Sequence, residues 1–388
     1  TASSYSLLTT APNQGCESVS DCSAVSMATQ PTLAEQRHLF EIPDEVCYLN
    51  CAYISPLLKS TTQAGKQGMA RKLRPWEIRP PDFFSTAGKI RSTAASLFGS
   101  TADDIAIVPS ASYGLAAAAR NLPVRKDQNI LVLAEQYPSN YYVWEALARN
   151  SGATLRSVAR PTDGDWTREI LESLDNQTAI AALPHCHWSD GTLVDLVQIR
   201  QHLDETGGAL VVDLTQSLGA MTFDVGLIRP DFAVAAAYKW LLGPYATGLL
   251  YVDPRHHEGE PRGMPIFSRK NAVQFSDISY RDDFEPGACR FDVGEVANFA
   301  LLPALHDALL QILEWQVPRI QASLGRRTAV ISAEACTLGL DVVDPARRAP
   351  HFLGIRFPDG LPAGLTEHLR DQQIYVSVRG ETLRVTPY

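Results

Sequence analysis

The sequence predicts an α/β fold in which a mostly parallel sheet lies between layers of helices. From about Ser92 onward, short apolar runs alternate with helical segments, and this alternation is typical of βαβ units. The chain has 388 residues, more than the roughly 150 residues of an ordinary domain. We therefore expect one large domain and one smaller domain.

The predicted elements follow one another as strand and helix. The strands are Ile105–Val108, Ile130–Leu133, Thr154–Val158, Ile180–Leu183 and Ala209–Val212. Helices are predicted over residues 110–120, 140–150 and 196–205. The first helix begins at Ser110, a good N-cap residue, ahead of an alanine-rich stretch. Ligands of such sheets gather beyond the carboxyl ends of the strands, so we expect the functional residues there.

Charge and composition argue against two classes of partner. The chain carries 34 lysines and arginines against 43 aspartates and glutamates, for a net charge of -9, and its basic residues are scattered. A nucleic-acid groove is therefore not expected. No apolar run is long enough to span a membrane. The seven cysteines are an odd number in a long chain, which favours reduced thiols and a cytoplasmic location.

Residues 1–30 differ in composition from the rest of the chain. They are rich in serine and threonine and have little apolar periodicity, so we predict a flexible tail. They lack the basic and apolar regions of a secretory signal. Cys47 and Cys51 are spaced too widely for a zinc-binding pair with two intervening residues, and no matching second pair follows. No metal site is predicted.

Two ionisable residues follow buried apolar runs. Asp213 closes the strand 209–213 and must be paired, because a lone carboxylate in a low dielectric is costly. A protonated pyridine nitrogen or a core arginine would satisfy it. Lys239 is flanked by apolar residues on both sides, which predicts a depressed pKa and a usable nucleophile. The alternative is a surface lysine with a buried stem.

The segment 110–112 offers two hydroxyls, backbone N–H groups and the positive end of a helix dipole. These groups suit a phosphate. An ordinary serine cap explains the same residues equally well.

Together these residues carry a family resemblance. Asp213-Leu-Thr-Gln216, followed by Tyr238-Lys239-Trp-Leu-Leu-Gly-Pro-Tyr-Ala-Thr-Gly248, resembles the signature of class V aminotransferases. These are fold type I pyridoxal 5'-phosphate (PLP) enzymes that include cysteine desulfurases, kynureninases and isopenicillin N epimerase-like proteins. The resemblance implies a segment 31–65 packing on the small domain, a large PLP-binding domain at 66–286 and a C-terminal α+β domain at 287–388.

The resemblance also implies roles at the cofactor. Lys239 would form the Schiff base, and Asp213 would keep the pyridine nitrogen protonated so that the ring accepts electrons. Gln216 would contact the phenolic oxygen, and Tyr137 would stack on the ring. The remaining implied cofactor contacts are Ala111, Ser112, Tyr238 and Trp188.

The substrate contacts implied by the resemblance lie mainly near the C-terminus. Arg384 is expected to receive the substrate carboxylate, because a planar guanidinium suits it. Arg379 is the second choice; the alternative is a solvated turn residue. His187 either faces the substrate or packs in the core, and Asn50 completes the substrate contacts.

The chain departs from the family pattern at two places. Only Gly380-Glu-Thr-Leu383 lies between Arg379 and Arg384, where cysteine desulfurases carry a reactive cysteine, so a persulfide mechanism is not expected. Glu295 replaces a threonine that in relatives reaches the partner's phosphate, which leaves either a backbone contact at Gly294 or a loop that serves the substrate.

The resemblance implies a homodimer with shared active sites that acts on a small amino acid. We expect β-elimination by a C–S lyase on a sulfur-bearing amino acid. An aminotransferase or epimerase is the alternative. A catalytically inactive binding subunit with a PLP fold is an alternative of another class.

Overall fold

The computed structural model describes residues 31–388, and the predicted tail lies outside the described residues. The α-helices are α1 (Lys59–Ala70), α2 (Asp82–Phe98), α3 (Ala111–Asn121), α4 (Ser139–Ser151), α5 (Trp166–Ser173), α6 (Leu196–Thr206), α7 (Val225–Ile228), α8 (Leu301–Trp315), α9 (Val317–Thr337) and α10 (Leu365–Asp371). Short 3-10 helices span Arg37–Leu39, Arg71–Leu73, Pro75–Glu77, Ala102–Asp104, Pro254–His256, Ile266–Ser268, Ala288–Phe291 and Pro345–Arg347.

The strands form three sheets. They are β1 (Cys47–Tyr48), β2 (Ile105–Val108), β3 (Asn129–Leu133), β4 (Thr154–Val158), β5 (Thr178–Pro184), β6 (Ala209–Asp213), β7 (Phe232–Ala236), β8 (Gly248–Val252), β9 (Asp341–Val342), β10 (Leu353–Arg356), β11 (Ile374–Tyr375), β12 (Ser377–Arg379) and β13 (Thr382–Val385). The five strands predicted from apolar runs all form, and their ends move by at most two residues.

The largest sheet has seven strands in the order β2-β8-β7-β6-β5-β3-β4. Strands β7, β6, β5, β3 and β4 are parallel to one another, and β8 runs antiparallel to both β2 and β7. The strands that run parallel to one another therefore end at the same edge of the sheet. The predicted mostly parallel α/β architecture is confirmed.

Both faces of this sheet are buried. Successive side chains of a strand point to opposite faces, so Ile105 and Ile107 of β2 join one hydrophobic core while Ala106 and Val108 join another. Helices pack on both sides, because the first core also contains residues of α2 and the second contains residues of α3. Buried on both faces, the strands need the continuous apolar runs seen in the sequence.

The C-terminal part builds a four-stranded antiparallel sheet in the order β12-β13-β10-β9. The N-terminal segment lies against it: Cys47 pairs with Ile374, and Asn50 bridges to Thr386. Residues just after the proposed boundary at 286 pack on the large sheet, since Asp292 accepts a hydrogen bond from the Ile107 N–H. The domain boundaries stay predictions.

Two kinds of feature are not found in residues 31–388. No helix there is long and apolar enough to cross a bilayer. No group of three or more histidine, cysteine, aspartate or glutamate side chains in that range is arranged to hold a metal ion.

Candidate active site

The candidate site lies where strands of the large sheet end. The loops that follow β2, β3, β5, β6 and β7 all leave the sheet at one edge. A narrow pocket there is lined by Gln136, Tyr137, Asn140, Pro184, Cys186, Trp188, Asp213, Thr215, Gln216 and Lys239. Ligands of open α/β sheets bind at such an edge.

Lys239 is the third residue after β7, and its side chain returns toward the sheet. The residue is 5% exposed, and its Nζ lies 5.5 Å from the ring centroid of Tyr137 and 5.7 Å from that of Tyr238. The pKa of Lys239 is lowered to about 8, because the effects of burial and of the Arg384 charge outweigh the opposing effect of Asp213. A neutral amine is therefore present near neutral pH, as a nucleophile requires.

Asp213 ends β6 and lines the same pocket. Its Oδ1 accepts a hydrogen bond of 2.9 Å from the Thr215 N–H, and burial raises its pKa. Within residues 31–388, no lysine, arginine or histidine forms an ion pair with this carboxylate. The core arginine considered from the sequence is therefore not its partner, and the carboxylate is left facing the pocket.

Tyr137 and Trp188 form an aromatic corner of the pocket. Their rings meet edge to face at 5.4 Å. The indole Nε1 of Trp188 donates to the Glu135 carbonyl at 2.7 Å, and Glu135 has a positive φ of 55°, which non-glycine residues seldom adopt. This turn carries the chain from β3 to Tyr137 and fixes both rings.

Gln216 lines the same pocket as Lys239. Its side chain links Trp240 to the N-terminal segment at Ala52. Its Oε1 accepts from the Trp240 indole at 3.1 Å, and its Nε2 donates to the Ala52 carbonyl at 3.1 Å. The backbone oxygen of Gln216 hydrogen-bonds to His351 at 2.6 Å. The side chain is fixed by these partners and still lines the pocket.

The predicted phosphate loop forms the start of α3. Ser110 caps the helix by accepting a hydrogen bond from the Tyr113 N–H at 3.2 Å, and its hydroxyl lies 2.9 Å from that of Ser112. Ser112 is exposed and Ala111 is buried. The serine cap and the open helix terminus are thus both present, so the two interpretations of this segment are compatible.

Arg384 and Arg379 belong to the hairpin of β12 and β13. Arg384 is 1% exposed, and it donates to the Ser377 hydroxyl and to the Trp188 carbonyl at 3.0 Å. Its guanidinium lies 5.9 Å from the Trp188 ring centroid, and that of Arg379 lies 5.8 Å from it. Both predicted substrate arginines therefore stand at the aromatic corner.

His187 is not part of the pocket wall. Its imidazole is fully buried and stacks on Trp166 at 5.3 Å, while its ring nitrogens bond to the Ala134 carbonyl and to Ser189. Burial lowers its pKa to about 4. The structure thus favours core packing over a substrate contact, because the loop directs this ring inward and the neighbouring Trp188 toward the site.

Asn50 also lies away from the pocket-lining residues. Its Nδ2 donates to the Val376 carbonyl at 3.4 Å, next to the arginine hairpin, and its Oδ1 is buried without a partner among the described residues. Glu295, where the family pattern has threonine, is exposed with a positive φ of 57°. Neither residue is among those that line the pocket of Lys239 and Asp213.

Several pocket residues are not predicted from the sequence, among them Gln136, Thr215 and Asn140. Asn140 is fully buried; its Oδ1 accepts from the Trp144 indole at 2.8 Å, and its Nδ2 has no acceptor within residues 31–388. An asparagine four residues before a tryptophan at the start of a helix is the available signal. In the sequence it marks only the beginning of the predicted helix.

The sequence model described as "Aminotransferase class-V" matches residues 81–383. The chain belongs to the class-V aminotransferase family. Its cofactor is pyridoxal 5'-phosphate, and it is a PLP-dependent enzyme.

Named relatives of this class-V family member are distant in sequence. An uncharacterized aminotransferase, YcbU, of Bacillus subtilis (strain 168) is 27% identical over 203 residues, which are 52% of this chain and 54% of that protein. A kynureninase of Deinococcus radiodurans is 27% identical over 297 residues, covering 71% of this chain and 68% of that protein. The chain thus spans about half to two thirds of their length.

Solved structures share the fold of this class-V chain. The complex of the cystine C–S lyase C-DES with its reaction product cysteine persulfide has a TM-score of 0.80 at 18% identity, covering 89% of this chain and 93% of that one. The cysteine desulfurase of Thermococcus onnurineus NA1 has a TM-score of 0.78 at 18% identity, covering 90% and 92%. At this identity the similarity establishes the fold.

The residues of the class-V site fit the cofactor. Asp213 is a buried carboxylate without an ion-pair partner in the described residues, and Asn140 Nδ2 is a buried donor without an acceptor there. The buried amine of Lys239 lines the same pocket. An aldehyde with a protonated ring nitrogen supplies a partner for the amine and for the carboxylate.

Proposed function

We propose that this enzyme is a C–S lyase that removes a sulfur-bearing β-substituent from an α-amino acid. The observation that carries the proposal is the two-residue turn Gly380-Glu381 between β12 and β13, which leaves no room for a loop bearing a cysteine. The pocket thiol, Cys186, is buried, and burial raises its pKa. A thiolate that could take up sulfur is therefore missing from these two places, and elimination needs none.

The chain's own groups supply the steps of such a reaction. The neutral amine of Lys239 withdraws the α-proton as a general base. Arg384 holds the substrate carboxylate by a charge-assisted contact, and Tyr137 and Trp188 cover the reacting carbon against water. The bound cofactor supplies the electron sink. The C–S bond then breaks, and the sulfur leaves with the bonding electron pair.

Comparisons support the proposal at the level of chemistry. The cystine C–S lyase has this fold, and a probable cysteine desulfurase of Methanothermobacter thermautotrophicus is 31% identical over 163 residues, 42% of this chain and 40% of that protein. Transamination is the second candidate, because an aminotransferase of Bacillus subtilis is also related.

The two candidates make different products. The holoenzyme is incubated with cystine, a cysteine sulfoxide or alanine, and pyruvate and the amine form of the cofactor are measured. Pyruvate formed from cystine without an amino acceptor supports elimination. Accumulation of the amine form alone contradicts it. Lys239→Ala should lower pyruvate formation by about 10²- to 10⁴-fold, the usual contribution of a general base.

We also infer that the enzyme is a homodimer with shared active sites. Several large apolar side chains are exposed in two stretches of the chain: Leu73, Trp76, Met264, Ile266, Phe275, Ile278 and Tyr280. Exposed apolar surface of this kind marks an interface. A cytoplasmic location is likewise a proposal, supported by five free cysteines in the described part of the chain.

A further inference from the structure

The arginine hairpin places two guanidinium groups on one face. In the register of β12 and β13, Ser377 lies opposite Arg384 and Arg379 lies opposite Thr382. Residues two apart on a strand share a face, so Arg379 points to the same side as Ser377. Arg379 and Arg384 are therefore diagonal neighbours, whose α-carbons lie about 7–8 Å apart in such a pair.

Neither guanidinium has an acidic partner in residues 31–388. Arg384 donates to the Ser377 hydroxyl and to the Trp188 carbonyl, which are both neutral. Arg379 donates to the adjacent Val378 carbonyl at 2.7 Å. The buried acid Asp190 is already engaged by Arg160 and Arg356, and Glu381 in the hairpin turn is exposed. Arg384 is buried without a counter-ion, which is costly unless a ligand brings negative charge, and the half-buried Arg379 adds a second positive charge beside it.

The charges around the pocket do not balance for an ordinary amino acid. The cations are Lys239, Arg379 and Arg384, and both arginines are close enough to lower the pKa of Lys239. The acid of the pocket is Asp213, which would hold the protonated cofactor nitrogen, while the start of α3 would hold the cofactor phosphate. An α-carboxylate would then neutralise one arginine and leave the other without a counter-ion.

Trp188 lies close to both of these cations. Its ring centroid lies 5.8 Å from the Arg379 guanidinium carbon and 5.9 Å from that of Arg384. The Nε1 bond to Glu135 and the contact with Tyr137 hold the ring in place. A ligand over this ring can therefore present one anionic group to each arginine.

We infer that the substrate is an α-amino acid whose side chain ends in a second anionic group, a carboxylate or a sulfur oxyanion. Arg384 takes the α-carboxylate, Arg379 takes the distal anion, and Trp188 lies between them as a platform. This names the substrate class of the C–S lyase proposed above and rests on that proposal for the reaction. The recognition of two anions is a separate, measurable property.

The test compares succinate with butyrate, which has the same number of carbon atoms and one carboxylate. Calorimetric titration of the holoenzyme should give at least about tenfold tighter binding of succinate, the effect of one charge-assisted contact. Arg379→Gln should remove the preference while leaving butyrate binding unchanged. Arg370→Gln is the matched control, because Arg370 is an exposed arginine on α10, and it should leave both affinities unchanged.

Two results would overturn the inference. One is equal affinity of the unaltered holoenzyme for succinate and butyrate. The other is an Arg379→Gln protein that loses both ligands by the same factor, since the two arginines would then share one carboxylate. The titration involves no turnover, so a failure of lyase chemistry shows separately, as an absence of pyruvate from every sulfur amino acid in the presence of normal succinate binding.

Discussion

At the scale of single residues, opposing effects set the pKa of the Lys239 amine. Burial lowers its pKa, the Asp213 carboxylate raises it, and the Arg384 and Arg379 guanidinium groups lower it again, to about 8. The sequence predicted the first of these from the apolar residues around the lysine. The arginines lie some 140 positions further along the chain, and only the fold brings them close enough to lower the pKa of Lys239.

This balance predicts a pH dependence of cofactor loading. The neutral amine is the reactive form, so the rate at which the cofactor-free protein takes up PLP should rise with pH and level off above about pH 8. Arg384→Gln removes a positive charge, which raises the pKa of Lys239 and moves the midpoint to higher pH. Stopped-flow absorbance across a pH series measures the uptake rate and the midpoint of its pH dependence.

The exposed Arg370 again offers the control for this profile. Arg370→Gln should leave the midpoint where it is in the unaltered protein. A midpoint that moves to lower pH in Arg384→Gln would contradict the account, because loss of a nearby cation can only make protonation of the amine easier.

At the scale of elements, the contact between α3 and the sheet determines where the predicted phosphate loop lies. A Cβ added at Gly114 would lie 2.7 Å from Val234 Cγ2 and 3.3 Å from Leu250 Cδ1. Both partners are fully buried strand residues and have little room to move. The glycine lets the helix approach β7 closely, and Lys239 is the third residue after that strand.

We predict that Gly114→Ala destabilises the protein by about 1–3 kcal/mol through overpacking and weakens PLP binding by displacing the start of α3. Gly88→Ala is the matched control, since a Cβ there meets no atom within 4 Å. It should stabilise the protein by about 0.5–1 kcal/mol. Urea unfolding and PLP titration report the two effects, and equal behaviour of the two variants would refute the prediction.

The loop after β5 contains two aromatic rings, His187 and Trp188, whose orientations depend on the folded loop. The sequence resemblance implied that Trp188 contacts the cofactor, and it left His187 open between a substrate contact and core packing. The choice is made by Arg160, whose guanidinium hydrogen-bonds both to Asp190 at 2.5 Å and to Ser189 at 2.9 Å. These bonds close the loop around the His187 imidazole and leave Trp188 on the pocket side.

At the scale of the whole molecule, Asp190 joins the two main sheets. It pairs with Arg160, which follows β4 of the large sheet, and with Arg356 of the C-terminal sheet at 3.4 Å. Its carboxylate also accepts from Thr192 at 2.7 Å. The residue is 1% exposed, and His187 and Arg160 hold its pKa below the ordinary value against the effect of burial.

Asp190→Asn should therefore lower the free energy of unfolding by about 1–3 kcal/mol, because it removes a buried, hydrogen-bonded charge, although Arg160 keeps its pair with Glu135 and Arg356 is half-exposed. Asp163→Asn is the comparison, since Asp163 also pairs with two arginines but on the surface, where ion pairs contribute little. Denaturant titrations of both proteins measure the difference. A similar small decrease of the free energy of unfolding in the two variants would contradict the role of Asp190 in joining the two sheets.

The exposed apolar segment around Ile278 bears on assembly. Ile278 is 97% exposed. Contact of a large apolar side chain with water is unfavourable, and a second copy that covers the side chain removes this cost. We predict that Ile278→Glu raises the dimer dissociation constant about tenfold or more, as measured by sedimentation equilibrium. Leu338→Glu, at another exposed apolar residue, should leave association unchanged, and a monomeric unaltered protein would disprove the dimer.

The sequence alone determined the fold class, the cofactor family and the pair Lys239 and Asp213. These depend on short stretches: apolar runs specify strands buried on both faces, and an ionisable residue inside such a run is forced to find a partner. The lack of a cysteine between the two hairpin arginines is equally local, and it argues against a persulfide route whatever the surrounding fold.

Only the tertiary structure decided which of the candidate side chains share the pocket. Arg384 donates to the carbonyl of Trp188, a residue 196 positions away, and strand register alone puts Arg379 beside it. Burial removed His187 from the site, and a buried amide without an acceptor among the described residues brought Asn140 into it. The physical reason is that packing and register bring together groups far apart in the chain, and local sequence patterns carry no information about such distances.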